Sequence, residues 1–177
     1  ISGTDWIMES GAIVTRVADL NYGKQGPGAV KLVVAVPESL QISSARMIKP
    51  GSRVATEYPN LTRAYFSNLG IPVDIQFSFG ATEAKVPELT DVVVDLTETG
   101  STLKKNGLKI IDVMLESTSE LLANKKSFAD KEKHDDISAV QTLLLAVMRA
   151  RGKTLLKMNV PEAALDAVIS MLPSMKR

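Results

Sequence analysis

The stretch "VVVDLTETGSTLKKNGL", from Val92 to Leu108, carries more chemistry than a connector needs. Its valines lead into Asp95. The turn that follows holds hydroxyls at Thr97, Thr99, Ser101 and Thr102, a second acid at Glu98 and a glycine at Gly100. The first amide hydrogens of a helix have no partner inside the helix and favour an anion. A glycine lets the backbone approach an oxygen closely, and hydroxyls add donors. Each hydrogen bond to an ionised group is worth ~1.5–3 kcal/mol, so three or four would hold a phosphate without a lysine. The carboxylates of Asp95 and Glu98 would repel that phosphate if aimed at it, but they are good acceptors for sugar hydroxyls. The turn therefore suits a phosphorylated sugar. It also suits a plain helix cap, in which Thr99 or Ser101 bonds an amide ahead and Asp95 only ends its strand. In a cradle the amides from Thr99 to Thr102 converge on one point; in a cap they are consumed inside the turn.

The elements that must position this turn alternate between strand and helix, the pattern of an α/β protein. The opening "ISGTDW" reads as a strand end running into a helix from Thr4 or Asp5 to Ser10, stopped by Gly11. "AIVTRVADL" and "VKLVVAV" (Val30 to Val36) read as strands around the turn-rich "NYGKQGPG". A strand at Arg53–Ala55 leads through Pro59 into a helix ending at Leu69 and Gly70. "VDIQFSF" alternates as a strand, "TEAKVPEL" is at most a short helix, and "LKIIDVMLES" is the strand after the quoted turn. "DVVVDL" reads as a buried parallel strand, whose carboxyl end opens on the ligand crevice of an open sheet. Ile137, Val140, Leu144, Val147 and Met148 recur at helical spacing, predicting an amphipathic helix from Asp136 to Arg151. "KTLLKMNV" reads as a strand and "PEAALDAVISMLPSM" as a helix, a unit that cannot bury its apolar face unaided. A truncated third unit is expected there, and an upstream segment is expected before Ile1.

Composition narrows the function classes. A net charge of +1 carries no footprint for nucleic acid, and the apolar runs fall short of the ~20 residues of a membrane span. The absence of cysteine excludes disulfides and thiolate metal sites. His134, the single histidine, lies in "DKEKHDD" and reads as a solvated residue at a helix start, with Lys131, Lys133, Asp135 and Asp136 as a solvated charge cluster. No second histidine supports a metal site, and none is expected. Met148, Met158, Met171 and Met175 read as packing, and Trp6 as a core residue.

"DLTETGSTL" resembles the ribose-phosphate loop of phosphoribosyltransferases, and more closely the signature of the ATP phosphoribosyltransferase family. "SGTDW" is similar to that family's Thr-Gly-x-Asp-Trp turn, and "RVATEYPNLTRAYF" to its Arg-x-Ala-Thr-x-Tyr-Pro-Asn segment. "ATEAKVPEL", "LKKNGLKIID" and "LESTSELLANK" follow in the family's order. "GKTLLKMNVPEAALDAVISMLPSM" looks like the start of the regulatory domain of the long form. Two features depart from the family: its Pro-Lys-Gly-Arg-like basic motif is not in this sequence, and "VPELTDVVVDL" lacks the Gly-Leu-Ala common before the valine strand.

The resemblance implies transfer of a phosphoribosyl group from 5-phosphoribosyl 1-pyrophosphate to nitrogen 1 of ATP, with Mg2+, as the first step of L-histidine biosynthesis. It implies a cytoplasmic hexamer inhibited by L-histidine, with no nucleic-acid or membrane partner. On this resemblance Thr99, Gly100, Ser101 and Thr102 bind the 5-phosphate, Asp95 holds ribose hydroxyls, Thr97 and Glu98 line the loop, and Glu83 lies near the crevice. Gly3, Thr4 and Asp5 would face the nucleotide side. The implied fold is two-lobed, like a type II periplasmic binding protein, followed by the start of an ACT-like regulatory domain. The first lobe would comprise 1–36 and 112–150, the second 37–111, and the regulatory domain would begin at 151. This 177-residue chain alone is expected to be a poor catalyst, because a wall of its cleft is unbuilt. The alternative from another class is a non-catalytic two-lobed module that holds a phosphorylated small molecule.

Overall fold

The computed structural model describes residues 1–20, 30–80, 82–86 and 88–172. The loop expected at Asn21–Gly28 and Met175 lie outside them. Among the described residues the strands form two sheets. The larger contains β3 (Val30–Pro37), β4 (Arg53–Thr56), β5 (Asp74–Phe77), β6 (Val92–Thr97) and β7 (Leu108–Ser117), in the order β5-β4-β6-β3-β7. The smaller contains β1 (Ser2–Gly3), β2 (Thr15–Asp19) and β8 (Ser119–Ala123), in the order β1-β8-β2. The helices are α1 (Thr4–Ser10), α2 (Pro59–Leu69), α3 (Ser101–Lys105), α4 (Lys125–Ala129), α5 (Lys131–Ala150) and α6 (Leu165–Met171).

The valine runs explain the larger sheet. Successive side chains of a strand point to opposite faces, so β3 and β6 each feed two cores. Leu32, Val34, Val36, Val92 and Val94 pack with Val54, Tyr58 and Phe66 on one face. Val33, Ala35 and Val93 pack with Leu103 and Leu108 on the other. Each fully buried valine or leucine contributes about 1.5–3 kcal/mol, which is why both faces must be covered. The valine strand is parallel to one neighbour only: β6 runs parallel to β4 and antiparallel to β3. Because β4 is parallel to β5 as well, the carboxyl ends of β4, β5 and β6 share one edge of the sheet.

Lobe boundaries at Val36 and Asp112 would cut two strands. The pairing of β3 with β7 runs from Val30↔Ser117 to Pro37↔Leu108, so hydrogen bonding keeps both strands whole in the larger sheet. The chain changes sheet between Leu20 and Val30, and again between Ser117 and Ser119. Strand β8 is absent from the sequence reading. Its Glu120 is buried, an acid where alternation demands an apolar residue, and it accepts from Thr4 Oγ1 at 2.8 Å and Arg16 Nε at 2.7 Å.

Other expectations shift. Helix α5 starts at Lys131, five residues before the predicted Asp136, because Asp130 caps it by accepting from the Lys133 amide at 3.1 Å. "KTLLKMNV" forms no strand, having no partner ladder among the described residues. Leu155 is therefore exposed, and the expected packing of Met158 and Met171 is absent. Trp6 is 47% exposed rather than buried in the core. The inward face of α1 is set instead by Asp5 and Glu9, one turn apart and both buried, which leaves Trp6 at the side against the Tyr58 ring, centroids 5.1 Å apart.

Those two acids fasten α1 to α2. Glu9 accepts from the amides of Asn60 and Leu61, each at 2.9 Å, and so caps the first turn of α2. A buried carboxylate on free helix-start amides is a strong contact. Replacing Glu9→Ala should cost ~2–3 kcal/mol in urea unfolding, with Glu9→Gln losing less because its amide oxygen still accepts. Equal stability of Glu9→Ala and the parent would show that the cap contributes nothing.

Candidate functional site: the turn after β6

The quoted turn leaves the sheet at the edge where β4, β5 and β6 end. Gly100 has φ of +73°, and a Cβ there would stand 3.1 Å from Ile110 Cδ1. The left-handed backbone requires glycine, and a Cβ would press on the Ile110 side chain, which would have to give way by a few tenths of an ångström. The turn is partly self-satisfied. The Gly100 amide donates to Thr97 Oγ1 at 2.8 Å, the Ser101 amide reaches Thr99 Oγ1 at 3.4 Å, and Thr99 Oγ1 donates to Ser101 Oγ at 3.1 Å. The expected convergence of all amides from Thr99 to Thr102 is therefore not the resting geometry, since short hydroxyl side chains compete for the nearest donors. The amides of Thr102 and Leu103 have no acceptor among the described residues, and no side chain caps α3. With five residues, α3 adds little macrodipole.

A cavity of about 420 Å³ opens beside the turn, within the range of small-ligand sites. Glu83, Asp95, Thr97, Glu98, Thr99, Ser101 and Thr102 line it. The structure thus brings the loop residues together with Glu83, which comes from a different segment, the 3₁₀ turn Thr82–Lys85 after β5. A second cavity, of about 480 Å³, lies between α2 and the start of β5 and is lined by Arg63, Phe66, Ile71 and Val73. It contains none of the hydroxyls or acids of the turn.

Asp95 is the perturbed group of the site. Its carboxyl is pushed up to about 6, first by burial, then by the charges of Glu83 and Glu57, while the Leu96 amide, donating to Oδ1 at 2.7 Å, holds it down. A carboxylate near neutrality, facing a cavity beside other acids, is what a binding or catalytic site produces and a strand end does not need.

Gly3, Thr4 and Asp5 are placed differently from the loop residues. Thr4 Oγ1 bonds Glu120 at 2.8 Å. Asp5 is buried, with Oδ1 accepting from the Ser117 hydroxyl and Oδ2 from Tyr58 OH at 2.8 Å. A Cβ on Gly3 would meet Asp5 Oδ1 at 2.1 Å, so glycine makes room for that carboxylate. Burial and the neighbouring charges of Asp5, Glu57 and Asp95 push the Tyr58 hydroxyl well above its ordinary range, so it remains a donor. Sequence reasoning missed Glu57 and Tyr58 as parts of the site's surroundings, although "TEYPN" held both. His134 sits half-exposed in the first turn of α5 against the Phe128 ring, centroids 4.7 Å apart, and does not line the cavity.

No group of three or more His, Cys, Asp or Glu side chains among the described residues is placed to hold a metal ion, and no described helix is long and apolar enough to cross a membrane.

Comparison with known proteins identifies the family and the fold. The family model for ATP phosphoribosyltransferase matches residues 1–146. An ATP phosphoribosyltransferase of Chlorobium phaeovibrioides is 43% identical over 177 residues, covering 100% of this chain and 60% of its own length. One from Desulforudis audaxviator is 46% identical over 176 residues, covering 99% and 61%. The chain thus spans about three-fifths of the curated relatives it matches. Among solved structures, an ATP phosphoribosyl transferase complex from Thermotoga maritima superposes with a TM-score of 0.69 at 28% identity, over 83% of this chain and 68% of that one. An arginine-binding protein of the same organism superposes at 0.52 with 16% identity, over 80% and 60%, which shows the fold alone. The larger sheet's order and this likeness agree with the two-lobed type II fold. By the family match and by identity along its whole length, the chain belongs to the ATP phosphoribosyltransferase family.

Proposed function

We propose that the protein is an ATP phosphoribosyltransferase, moving the phosphoribosyl group of 5-phosphoribosyl 1-pyrophosphate to nitrogen 1 of ATP with release of pyrophosphate, in L-histidine biosynthesis. The observation that carries this reading is the single cavity lined by both the hydroxyl turn and the acids Asp95 and Glu83. Thr99, Ser101 and Thr102 donate hydroxyls to the 5-phosphate, joined by the open amides of Thr102 and Leu103. Ligand entry draws the Ser101 amide from its weak internal acceptor and competes with Thr97 for the Gly100 amide. Asp95 accepts from ribose hydroxyls, with Thr97 and Glu98 shaping the loop. Displacement at the anomeric carbon passes through a cation-like sugar, so the chain's task is to position and to stabilise charge, without a covalent nucleophile. Gly3, Thr4 and Asp5 serve the nucleotide side as braces. Magnesium, as the family implies, would be carried chiefly by the substrate's phosphates, the usual manner of holding this ion, and would neutralise charge on the leaving pyrophosphate. The smaller and larger sheets form the cores of the two lobes, and the chain from 151 begins a regulatory domain. Cytoplasmic location, hexamer assembly and L-histidine inhibition belong to the same proposal. A non-catalytic phosphate receptor is the weaker reading, because it has no use for two carboxylates beside the hydroxyl turn.

Thr99→Val together with Thr102→Val keeps the shape of the turn and removes two donors. It should weaken binding of 5-phosphoribosyl 1-pyrophosphate by ~2–5 kcal/mol in calorimetry. Unchanged affinity would sink the phosphate assignment.

Asp95 gives a prediction with a sign. Its proton is held up to about 6 in the folded chain, whereas an unfolded chain releases it near ~3.9. The folded state then binds more protons between those values, so this group's contribution to stability falls as pH rises through the interval and stays lost above it. Asp95→Asn should therefore be more stable than the parent at pH 7 in urea unfolding, with the gain gone below about pH 4, while sugar-phosphate binding is weakened. A less stable variant at neutral pH would contradict the placement of Asp95 as a functional strain.

A further inference from the structure

We propose that Glu57 is a positioning residue of this site. Its bond to Gly80 fixes the segment that carries Glu83, so that Glu83 and Asp95 reach one cavity from two segments and accept ribose hydroxyls as a pair. The inference rests on the phosphoribosyl reading above and adds to it the group that sets the geometry of the sugar clamp.

Glu57 follows β4 directly, and β4 is flanked by β5 and β6, so Glu57 stands between the two segments that supply Glu83 and Asp95. Its Oε1 accepts from the Gly80 amide at 2.7 Å. Gly80 has φ of +67°, and a Cβ there would meet nothing within 4 Å. Glycine is thus needed for the turned backbone that aims this amide, and not for space. The segment's other ties are of different kinds. The Ser78 amide donates to the Thr56 carbonyl at 2.9 Å, which no side-chain change removes. The Ser78 and Thr82 hydroxyls meet at 3.1 Å, and Lys85 Nζ donates to Ser78 Oγ at 2.5 Å, bonds that stay within the segment. The Glu57 bond alone among these joins the segment to β4 through a side chain.

The arrangement is electrostatically unfavourable when empty. Glu57 and Glu83 both act on Asp95 against its ionisation, and a fold with no use for the cluster gains nothing from it. A ribose supplies the missing donors, since its hydroxyls give two O–H groups to carboxylates with strong charge-assisted bonds. Inorganic phosphate offers the turn the same anion without those hydroxyls, which separates the two parts of the site.

The test is a titration of ribose 5-phosphate and of inorganic phosphate, followed by amide chemical shifts, on the parent, Glu57→Ala, Glu57→Gln, Glu83→Ala and the Glu57→Ala/Glu83→Ala pair. Glu57→Ala should weaken ribose 5-phosphate about tenfold, the size of one such hydrogen bond, and leave inorganic phosphate unchanged. Glu57→Gln, whose amide oxygen still accepts from Gly80, should bind like the parent. In the Glu83→Ala background, Glu57→Ala should cost nothing more, because Glu57 acts through Glu83. If Glu57→Ala does not fold, Glu57→Asp, one methylene short of Gly80, should show the same selective loss. Equal loss for both ligands, or an undiminished cost in the Glu83→Ala background, would overturn the positioning role while sparing the phosphoribosyl reading. A parent that binds inorganic phosphate but gains nothing from the ribose would overturn both.

Discussion

The carboxylate of Asp5 is the point on which the two sheets meet. It lies at the start of α1, next to the smaller sheet, and accepts from Ser117 at the end of β7 and from Tyr58 between β4 and α2. Glu9, one turn on, caps α2. A buried carboxylate is costly unless its oxygens are hydrogen-bonded, and here both are. The consequence is directional. An apolar contact would let α1 slide over α2, whereas these bonds fix where β4 ends and where the chain turns into α2. Everything at that edge of the larger sheet inherits its place from this junction.

The second constraint is the parallel trio β4, β5 and β6. Parallel pairing brings their carboxyl ends to one edge, where Glu83 after β5 and the hydroxyl turn after β6 line the cavity, and Glu57 after β4 bonds the Gly80 amide beside them. The cores on both faces hold the strands rigidly, so acids that repel one another stay close. Burial favours the fold and the acids oppose it. The perturbed carboxyl of Asp95 marks that conflict, and a binding site is the ordinary place to find it.

Much of this was legible in the residues. The valine run, the stop at Gly70 and the entry at Pro59 predicted β6 and α2 because each carries a local physical signal that tertiary structure had no reason to override. The hydroxyl turn and Glu83 were legible through composition and resemblance, and the cavity unites them. What was not legible depended on partners far along the chain. Trp6 looked like core because tryptophan usually is, but the inward face of α1 was claimed by Asp5 and Glu9, whose partners lie some fifty and more residues away. Strand β8 was hidden by Glu120, an acid buried by bonds to Thr4 and Arg16. "KTLLKMNV" read as a strand but has no neighbour to pair with among the described residues. The internal bonds of the turn, Gly100 to Thr97 and Ser101 to Thr99, depend on rotamers that no spacing encodes.

A crystal structure of the protein with 5-phosphoribosyl 1-pyrophosphate tests the central claim most directly. The 5-phosphate should lie ~2.7–3.0 Å from the amides of Thr102 and Leu103, ringed by the hydroxyls of Thr99, Ser101 and Thr102, with the ribose hydroxyls on Asp95 and Glu83. A ligand seated elsewhere, with Gly100 and Ser101 still bonded to Thr97 and Thr99 and the cavity vacant, would contradict it.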